Sequence, residues 1–166
     1  MDYNNLMRYD NSQVRRQDRL LDEARARELI ATAEYGVLSM VDRGSKPYGV
    51  PVNFVFNEDC IYIHCATQGR KLDCIDLCED VSFCIVGRTN LLPSKFTTEY
   101  ESVIITGCAT IITDEQERMD ALQMLLEKYS PHDVKVGMKY ARASFSRTEL
   151  IRIDIDTFSG KCKRMQ

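Results

Sequence analysis

The 166-residue chain has no tryptophan, only two histidines and four prolines, and no apolar run long enough to cross a membrane. It also lacks a G-x-G-x-x-G motif, a Walker A loop, an H-E-x-x-H motif and a G-x-S-x-G motif. These absences argue against Rossmann dehydrogenases, P-loop enzymes, zincins and α/β-hydrolases. The net charge of −3 argues against a nucleic-acid-binding protein, because phosphate binding needs clustered Lys and Arg. The remaining composition, 44% hydrophobic and 28% charged, is typical of one folded domain.

Cysteine is the unusual component, with seven residues. An odd number cannot pair completely within one chain, and Met1 is followed by a polar stretch without the apolar core of a secretory signal. We therefore expect a cytoplasmic protein whose free thiols pack as small hydrophobic residues. The alternative is a thiol or zinc site at Cys74 and Cys78, which are four residues apart. Since no C-x-x-C occurs, we expect no metal site.

The apolar pattern predicts a mainly β fold with inserted helices. Residues 1–13 are polar and aperiodic, which favours a tail or a dimer arm, and 14–166 are expected to form a single domain. Six short antiparallel strands are predicted, and six strands can close into a small barrel. Pro51 should lie at an edge or a bulge, and Gly107 at a bulge. The predicted strands cover 35–41, 47–56, 60–66, 81–88, 101–112 and 150–155, and the predicted helices 22–33, 71–78, 114–129 and 133–143.

The best local candidate for chemistry is the stretch from His64 to Lys71, which reads HCATQGRK. A strand ends there, a turn with Gly69 follows, and a helix begins, so free N–H groups and a partial positive charge meet Arg70 and Lys71. This pattern favours a phosphate-sized anion site, and the alternative is a solvent-exposed basic helix start. His64 could give a proton or orient a substrate, although a lone strand histidine is more often a satisfied polar residue.

A second candidate is the strand face that carries Pro51, Asn53 and Val55, along which a flat aromatic ligand could lie. The alternative is an ordinary core strand. The polar connection 90–99 is long for a loop, and loops of this kind often cover a site.

At this point the residues carry a family signature. The chain resembles the FMN-binding split-barrel superfamily of the pyridoxamine 5′-phosphate oxidases, and more closely its 5-nitroimidazole-resistance (Nim) branch. The motifs that carry the resemblance are, in order, VRRQDR, EYGVLS, PYGVPVNFVF, IYIHCA, GRKLD, VSFCIVG and KFTTEYESVIITG. The sequence departs from the oxidases at Gly69, where they have Ser, and it lacks a convincing match to their C-terminal substrate-phosphate residues.

The resemblance implies a six-stranded antiparallel split β-barrel and a homodimer with FMN at the subunit interface. It assigns His64 as the candidate catalytic residue and Arg70 and Lys71 as the phosphate ligands. The implied cofactor-binding residues are Gly49, Val50, Pro51, Val52, Asn53, His64, Cys65, Arg70, Lys71, Glu101 and Ser102. Phe96, Thr97 and Thr98 are implied to cover the ring or shape the substrate pocket.

These residues favour an FMN-dependent oxidoreductase that passes electrons from reduced flavin to a small aromatic or nitro-aromatic acceptor. The protein would supply binding, orientation and charge around the cofactor. The alternative is a non-catalytic module that stores or senses flavin or haem. We expect no nucleic-acid and no membrane partner.

Overall fold

The described part of the chain, residues 7–164 of a computed structural model, is built on one curved sheet with four helices. Eight strands form this sheet, and all of its ladders are antiparallel except the short one between β1 and β8. The strands are β1 Arg8–Tyr9, β2 Gly36–Val41, β3 Pro47–Val52, β4 Val55–Asn57, β5 Cys60–Ala66, β6 Asp80–Leu92, β7 Thr97–Ile111 and β8 Thr148–Lys163; the helices are α1 Glu23–Thr32, α2 Arg70–Leu77, α3 Glu115–Tyr129 and α4 Val134–Ser144.

The sheet curves until its two edges adjoin. The strand order is β3-β2-β6-β7-β8-β5-β4, so β3 and β4 are the edges, and β1 pairs with β8 off this path. Only Asn53 and Phe54 separate the two edge strands, and three residue steps span at most about 11 Å. No ladder joins β3 to β4 in residues 7–164, so hydrogen bonding does not close the sheet. The prediction of a six-stranded closed barrel was wrong in strand number and in closure.

One cause of the difference is the predicted strand 47–56, which is two strands. The chain leaves the sheet after Val52 because the Phe54 backbone is bonded elsewhere: its N–H donates to the Tyr129 hydroxyl at 2.9 Å, and its C=O accepts from Lys128 Nζ at 2.9 Å. The other added strand lies in the predicted tail. Residues 1–6 lie outside the described residues, whereas Met7 is buried and Arg8–Tyr9 pair with Thr157 and Phe158 on β8.

The predicted loop 90–99 was also wrong, because it is the end of a β-hairpin. β6 and β7 continue to pair from Thr89 and Tyr100 up to Leu92 and Thr97, and a short 3-10 turn at Pro93–Lys95 connects them. No residue of the stem, 89–92 and 97–100, is buried on either face, so its sequence carries no apolar alternation. Consequently the hairpin projects beyond the rest of the sheet.

Strand alternation divides the core into two clusters. Along β5, Ile61 and Ile63 face the interior of the curved sheet, where α1 adds Ile30, whereas Tyr62 faces outward. On that outer side, α3 and α4 cover β4, β5 and the start of β8, where Leu150 is fully buried. The interior cluster also contains Leu38, Phe54, Phe83, Ile85, Val103, Ile105, Ile151 and Ile153.

Several local predictions were confirmed. Asp22 and Asp114 cap α1 and α3, each accepting a backbone N–H three residues on at 2.8 Å. Pro51 lies on an edge strand, and the ladder between β7 and β8 shifts register at Gly107. A Cβ on Gly107 would lie 2.1 Å from the Asp154 carbonyl oxygen, so only glycine fits. None of the helices in the described range has the length and apolar content to span a membrane.

Candidate functional site

The site begins where β5 ends and α2 starts. Gly69, the N-cap of α2, has φ 147° and ψ 163°, a backbone conformation that side chains disfavour. No atom lies within 4 Å of where its Cβ would be, so the backbone conformation and not space selects glycine here. No side chain caps α2, and the Leu72 N–H donates to the Gly69 carbonyl oxygen at 3.0 Å. The N–H groups available to a ligand are therefore those that precede Leu72.

Arg70 fastens this helix start to the neighbouring turn. One of its nitrogens lies 2.8 Å from Asp42 Oδ2, and its guanidinium lies 4.1 Å from the centroid of the Tyr48 ring. Hydrogen bonds from the Lys46 backbone and from Arg70 lower the pKa of the Asp42 carboxyl. Arg70 thus has protein partners, and its predicted contact with a phosphate stays a prediction.

Lys71, by contrast, has no ion pair within residues 7–164. It lies close enough to His64 to affect its titration: burial first, and then the Lys71 charge, lower the pKa of the imidazole. His64 is on the outer side of β5 and keeps an exposed edge. The two side chains place a free cation beside a neutral imidazole, next to the helix start.

Cys65 points the other way. It packs against the interior cluster, and burial raises the pKa of its thiol. A ligand on the His64 side can therefore meet only the Cys65 backbone. All seven cysteines are free, and the described residues contain no group of three His, Cys, Asp or Glu side chains suited to a metal. Cys74 is buried and Cys78 lies one helical turn away, so the zinc alternative lacks a third ligand.

β3 presents a smooth outer edge. Val50 and Val52 pack against the interior cluster, as the alternation predicted, and Gly49, Pro51 and Asn53 are exposed. Since β3 is an edge strand, the missing N–H of Pro51 leaves no ladder bond unmade. A flat ligand could approach this edge closely.

No helix within residues 7–164 covers the outer sides of β2, β6 and β7. Val41, Val86 and Ile104 are 40%, 51% and 42% exposed there, and we call this surface the bare face. In register it continues the β3 edge, because Pro51 pairs with Val37, Val37 with Cys84, and Cys84 with Ile104. Ser102 pairs with Val86 and so belongs to the same face.

Glu101 faces the opposite side of β7 from Ser102. Its carboxylate is 13% exposed and lies 2.7 Å from Arg25 and 2.9 Å from Arg164. The Arg25 hydrogen bond is the main cause that lowers the pKa of this carboxyl. Glu101 therefore joins α1 to the end of β8. Sequence reasoning missed this role because its partners lie 76 and 63 residues away.

Phe96 is 97% exposed, at the tip of the β6–β7 hairpin, with φ 51°. Thr97 accepts a hydrogen bond from the Lys163 ammonium, and Thr98 continues the stem. His64 pairs with Leu150 and Tyr100 with Lys163, so the tip and His64 are at opposite ends of β8. Thirteen residues of strand amount to about 43 Å. Phe96 therefore does not cover the His64 side of its own chain.

A cavity of about 850 Å³ lies against the turn before α2. Its polar lining includes Thr67, Gln68 and Gly69 from this turn, together with Arg118 and Glu149. Nη2 of Arg118 donates to the carbonyl oxygens of Phe145 and Thr148, which fixes this side chain on the cavity wall. The helix start therefore opens onto a polar space that suits a small ligand.

The fold has many solved relatives. A candidate 5-nitroimidazole antibiotic resistance protein from Bacteroides thetaiotaomicron superposes with TM-score 0.70 at 20% identity, over 87% of this chain and 86% of that one. The FAD and haem binding protein from Mycobacterium smegmatis gives 0.74 at 20% identity, over 87% and 72%. HutZ, the haem storage protein from Vibrio cholerae, gives 0.61 at 13% identity, over 80% and 89%. Identities this low show a shared fold alone.

No curated protein matches the chain in sequence. The family model described as pyridoxamine 5′-phosphate oxidase matches residues 22–162, a range that contains the helix start at Gly69, His64, the β3 edge and the bare face. The chain therefore belongs to the pyridoxamine 5′-phosphate oxidase family.

Proposed function

We propose that the protein is an FMN-binding oxidoreductase that reduces a small aromatic or nitro-aromatic acceptor. The observation that carries this proposal is the arrangement around α2: the unpaired Lys71, the uncapped helix N-terminus and His64 meet on one side of β5. The family membership and the fold shared with a flavin-binding and a nitroimidazole-resistance protein support the choice of cofactor and acceptor.

The residues present fit a flavin phosphate. A phosphate needs hydrogen-bond donors and positive charge, and the first turn of α2 offers both through its N–H groups and Lys71. The flat ring system would lie along the exposed backbone of Gly49, Val50, Pro51, Val52 and Asn53, which approaches His64 across the split between β3 and β4. FMN, when bound, supplies the electron transfer, and the chain supplies binding, orientation and exclusion of water.

His64 would orient the acceptor or give it a proton. An imidazole whose pKa is lowered by burial and by Lys71 is mostly neutral near pH 7, so it can donate one hydrogen bond and accept another. In this arrangement the Lys71 ammonium would bind the phosphate, and the neutral His64 imidazole would contact the acceptor.

We propose a homodimer that buries the bare face. Val41, Val86 and Ile104 are exposed on a surface continuous with the β3 edge, so a second copy on this face would also wall the flavin. Phe96, Thr97 and Thr98 could then contribute to the substrate pocket only from the second copy, since the tip leaves its own site uncovered. Ser102 lies on the bare face and would contact the flavin or the second copy there. Glu101 lies on the opposite side of β7, so its role would be to hold the strand in place through Arg25 and Arg164.

A second candidate function is a non-catalytic module for flavin or haem. It is favoured by the fold shared with the haem storage protein HutZ and by the exposed edge of His64, an imidazole that could bind iron. A flavin spectrum that bleaches with reductant and recovers with a nitro-aromatic acceptor supports the enzyme, and a Soret band supports the module. The cytoplasm remains our proposal for location. A single domain remains our proposal for organisation, but it begins before residue 14, because Met7 is in the core and β1 pairs with β8.

The variant Lys71→Ala tests the phosphate assignment. We expect the FMN dissociation constant to rise about tenfold or more, because a charge-assisted contact is lost. Unfolding should change by less than about 0.5 kcal/mol, since Lys71 makes no ion pair. The matched control is Lys135→Ala, which removes the same charge from an exposed position on α4. Equal FMN affinity in the two variants contradicts the assignment.

A further inference from the structure

One hydroxyl joins three parts of the fold. Tyr129, the last residue of α3, accepts the backbone N–H of Phe54 at 2.9 Å, and its oxygen lies 2.6 Å from the Glu34 carbonyl and 2.8 Å from the Phe54 carbonyl. These contacts connect α3 to the segment before β2 and to the crossover between β3 and β4.

The neighbouring Lys128 decides where the Tyr129 proton goes. Lys128 Nζ donates to the Phe54 carbonyl at 2.9 Å and lies 4.0 Å from the centroid of the Phe54 ring. A hydroxyl has only one proton to donate. Because the Phe54 carbonyl already accepts from Lys128, the Tyr129 hydroxyl donates to the Glu34 carbonyl, which is the shorter of its two contacts. Both polar groups of the Phe54 backbone thus have hydrogen-bond partners outside the sheet, and the Glu34 carbonyl has one as well. This accounts for the end of β3 at Val52.

The backbones that Tyr129 bonds, at Glu34 and Phe54, each adjoin an exposed residue. Tyr35 follows Glu34 and Asn53 precedes Phe54, and both come directly after the last β2–β3 pair, Gly36 with Val52. Tyr35 is 55% exposed and Asn53 is exposed. The Tyr129 hydroxyl therefore sets the spacing of an aromatic ring and an amide at the β3 edge, where the proposed flavin ring lies.

We propose that Tyr129 is a positioning residue for the flavin site: its hydroxyl holds Tyr35 and Asn53 side by side, so that they meet the ring without rearrangement. This inference rests on the proposed function. A ligand that binds a prepared edge avoids the cost of ordering it, and loss of the hydroxyl makes that cost part of binding. The effect should therefore appear in cofactor affinity more than in stability.

The test compares Tyr129→Phe with Tyr62→Phe. Tyr62 is buried, and its hydroxyl also bonds α3, through Glu117 at 3.2 Å, but this hydroxyl makes no hydrogen bond to residues 53–54 in the described part of the chain. We expect both variants to lose similar stability. Only Tyr129→Phe should raise the FMN dissociation constant, by about tenfold, and only it should speed hydrogen exchange at the Phe54 amide in the cofactor-free protein.

Equal FMN affinities in the two variants, or an unchanged Phe54 amide, would overturn the inference. Should Tyr129→Phe not fold, Lys128→Met gives a second reading, because it draws the Tyr129 proton from Glu34 to the Phe54 carbonyl. A severalfold weaker affinity there supports the inference, and an unchanged one overturns it. Wild-type protein that binds no FMN at all would instead refute the proposed function.

Discussion

The outer side of the sheet has two regions that share the same strand alternation and differ in what covers them. Over β4, β5 and the start of β8, the chain supplies its own cover, since α3 and α4 bury Val55, Tyr62 and Leu150. Over β2, β6 and β7 no helix of the described chain is present, and Val86 and Ile104 stay about half exposed. An apolar surface of this kind commonly marks an interaction site.

This difference teaches where function is located. The covered region is a stability feature that completes a second core. The bare face continues the β3 edge, so what covers it would also enclose a ligand at that edge. The outer side of one sheet thus serves stability over β4, β5 and the start of β8, and recognition over β2, β6 and β7.

The largest expected effect is on the free energy of unfolding, which should respond differently to substitutions in the two regions. Leu150→Ala should lower the free energy of unfolding by about 2–5 kcal/mol, because it empties a fully buried position. This loss should be independent of protein concentration, since the chain itself provides the cover. Ile104→Ala should cost more at high concentration than at low if, as we propose, a second copy covers it. Denaturant titrations at two protein concentrations check both. A concentration-independent cost for Ile104→Ala would remove the contrast.

A smaller effect is expected on association. Ile104→Asp places a charge in the middle of the bare face, and burying it against a second copy should weaken the dimer by about 2 kcal/mol or more. Light scattering after size-exclusion chromatography measures the shift toward monomer.

The matched control is Val136→Asp, an exposed aliphatic position on α4, on the covered side of the sheet. This variant should associate as the wild type does. Equal association of Ile104→Asp and wild type would locate any dimer contact elsewhere.

The sequence predicted what local pattern determines. Local pattern predicted the strand 60–66 and the helix starts at 22 and 114, where Asp22 and Asp114 cap their helices. It could not predict the break after Val52, because Val50, Val52, Phe54 and Phe56 alternate as one strand would, and the interruption comes from Tyr129 far along the chain. The hairpin stem 89–100 had no apolar pattern because neither of its faces is buried.

The candidate site was predicted in outline for the same reason. The strand-turn-helix order around Gly69 is local and was readable, as was the pair of cations after it. The sequence did not show that the two cations differ. Arg70 bonds Asp42, in a turn 28 residues away, whereas Lys71 has no ion pair among the described residues. Likewise, strand alternation alone predicts that His64 and Cys65 face opposite sides. Which of the two sides stays exposed depends on tertiary packing and could not be predicted from the sequence.

The smallest effect concerns the titration of His64. Lys71→Ala removes the charge that helps to lower the pKa of His64, so this pKa should rise, yet remain below its ordinary value because burial persists. A histidine with a lowered pKa binds protons less readily in the folded state, so wild-type stability should increase as pH rises toward 6.5. The variant should show a smaller increase.

NMR of the two histidine ring resonances follows this titration directly. His132 lies in an exposed turn after α3 and serves as an internal reference in the same spectra. An unchanged His64 titration in Lys71→Ala would show that Lys71 does not face it.

The central claim is that two chains joined through the bare face hold flavin at the β3 edge. Size-exclusion chromatography with light scattering and flavin absorbance, on protein loaded with FMN, measures mass and cofactor content together. We expect FMN to elute with a particle of twice the chain mass, at one FMN per chain, and Ile104→Asp to lose dimer and flavin together. Flavin retained stoichiometrically by a monomer, or a dimer that takes up no flavin, would contradict it.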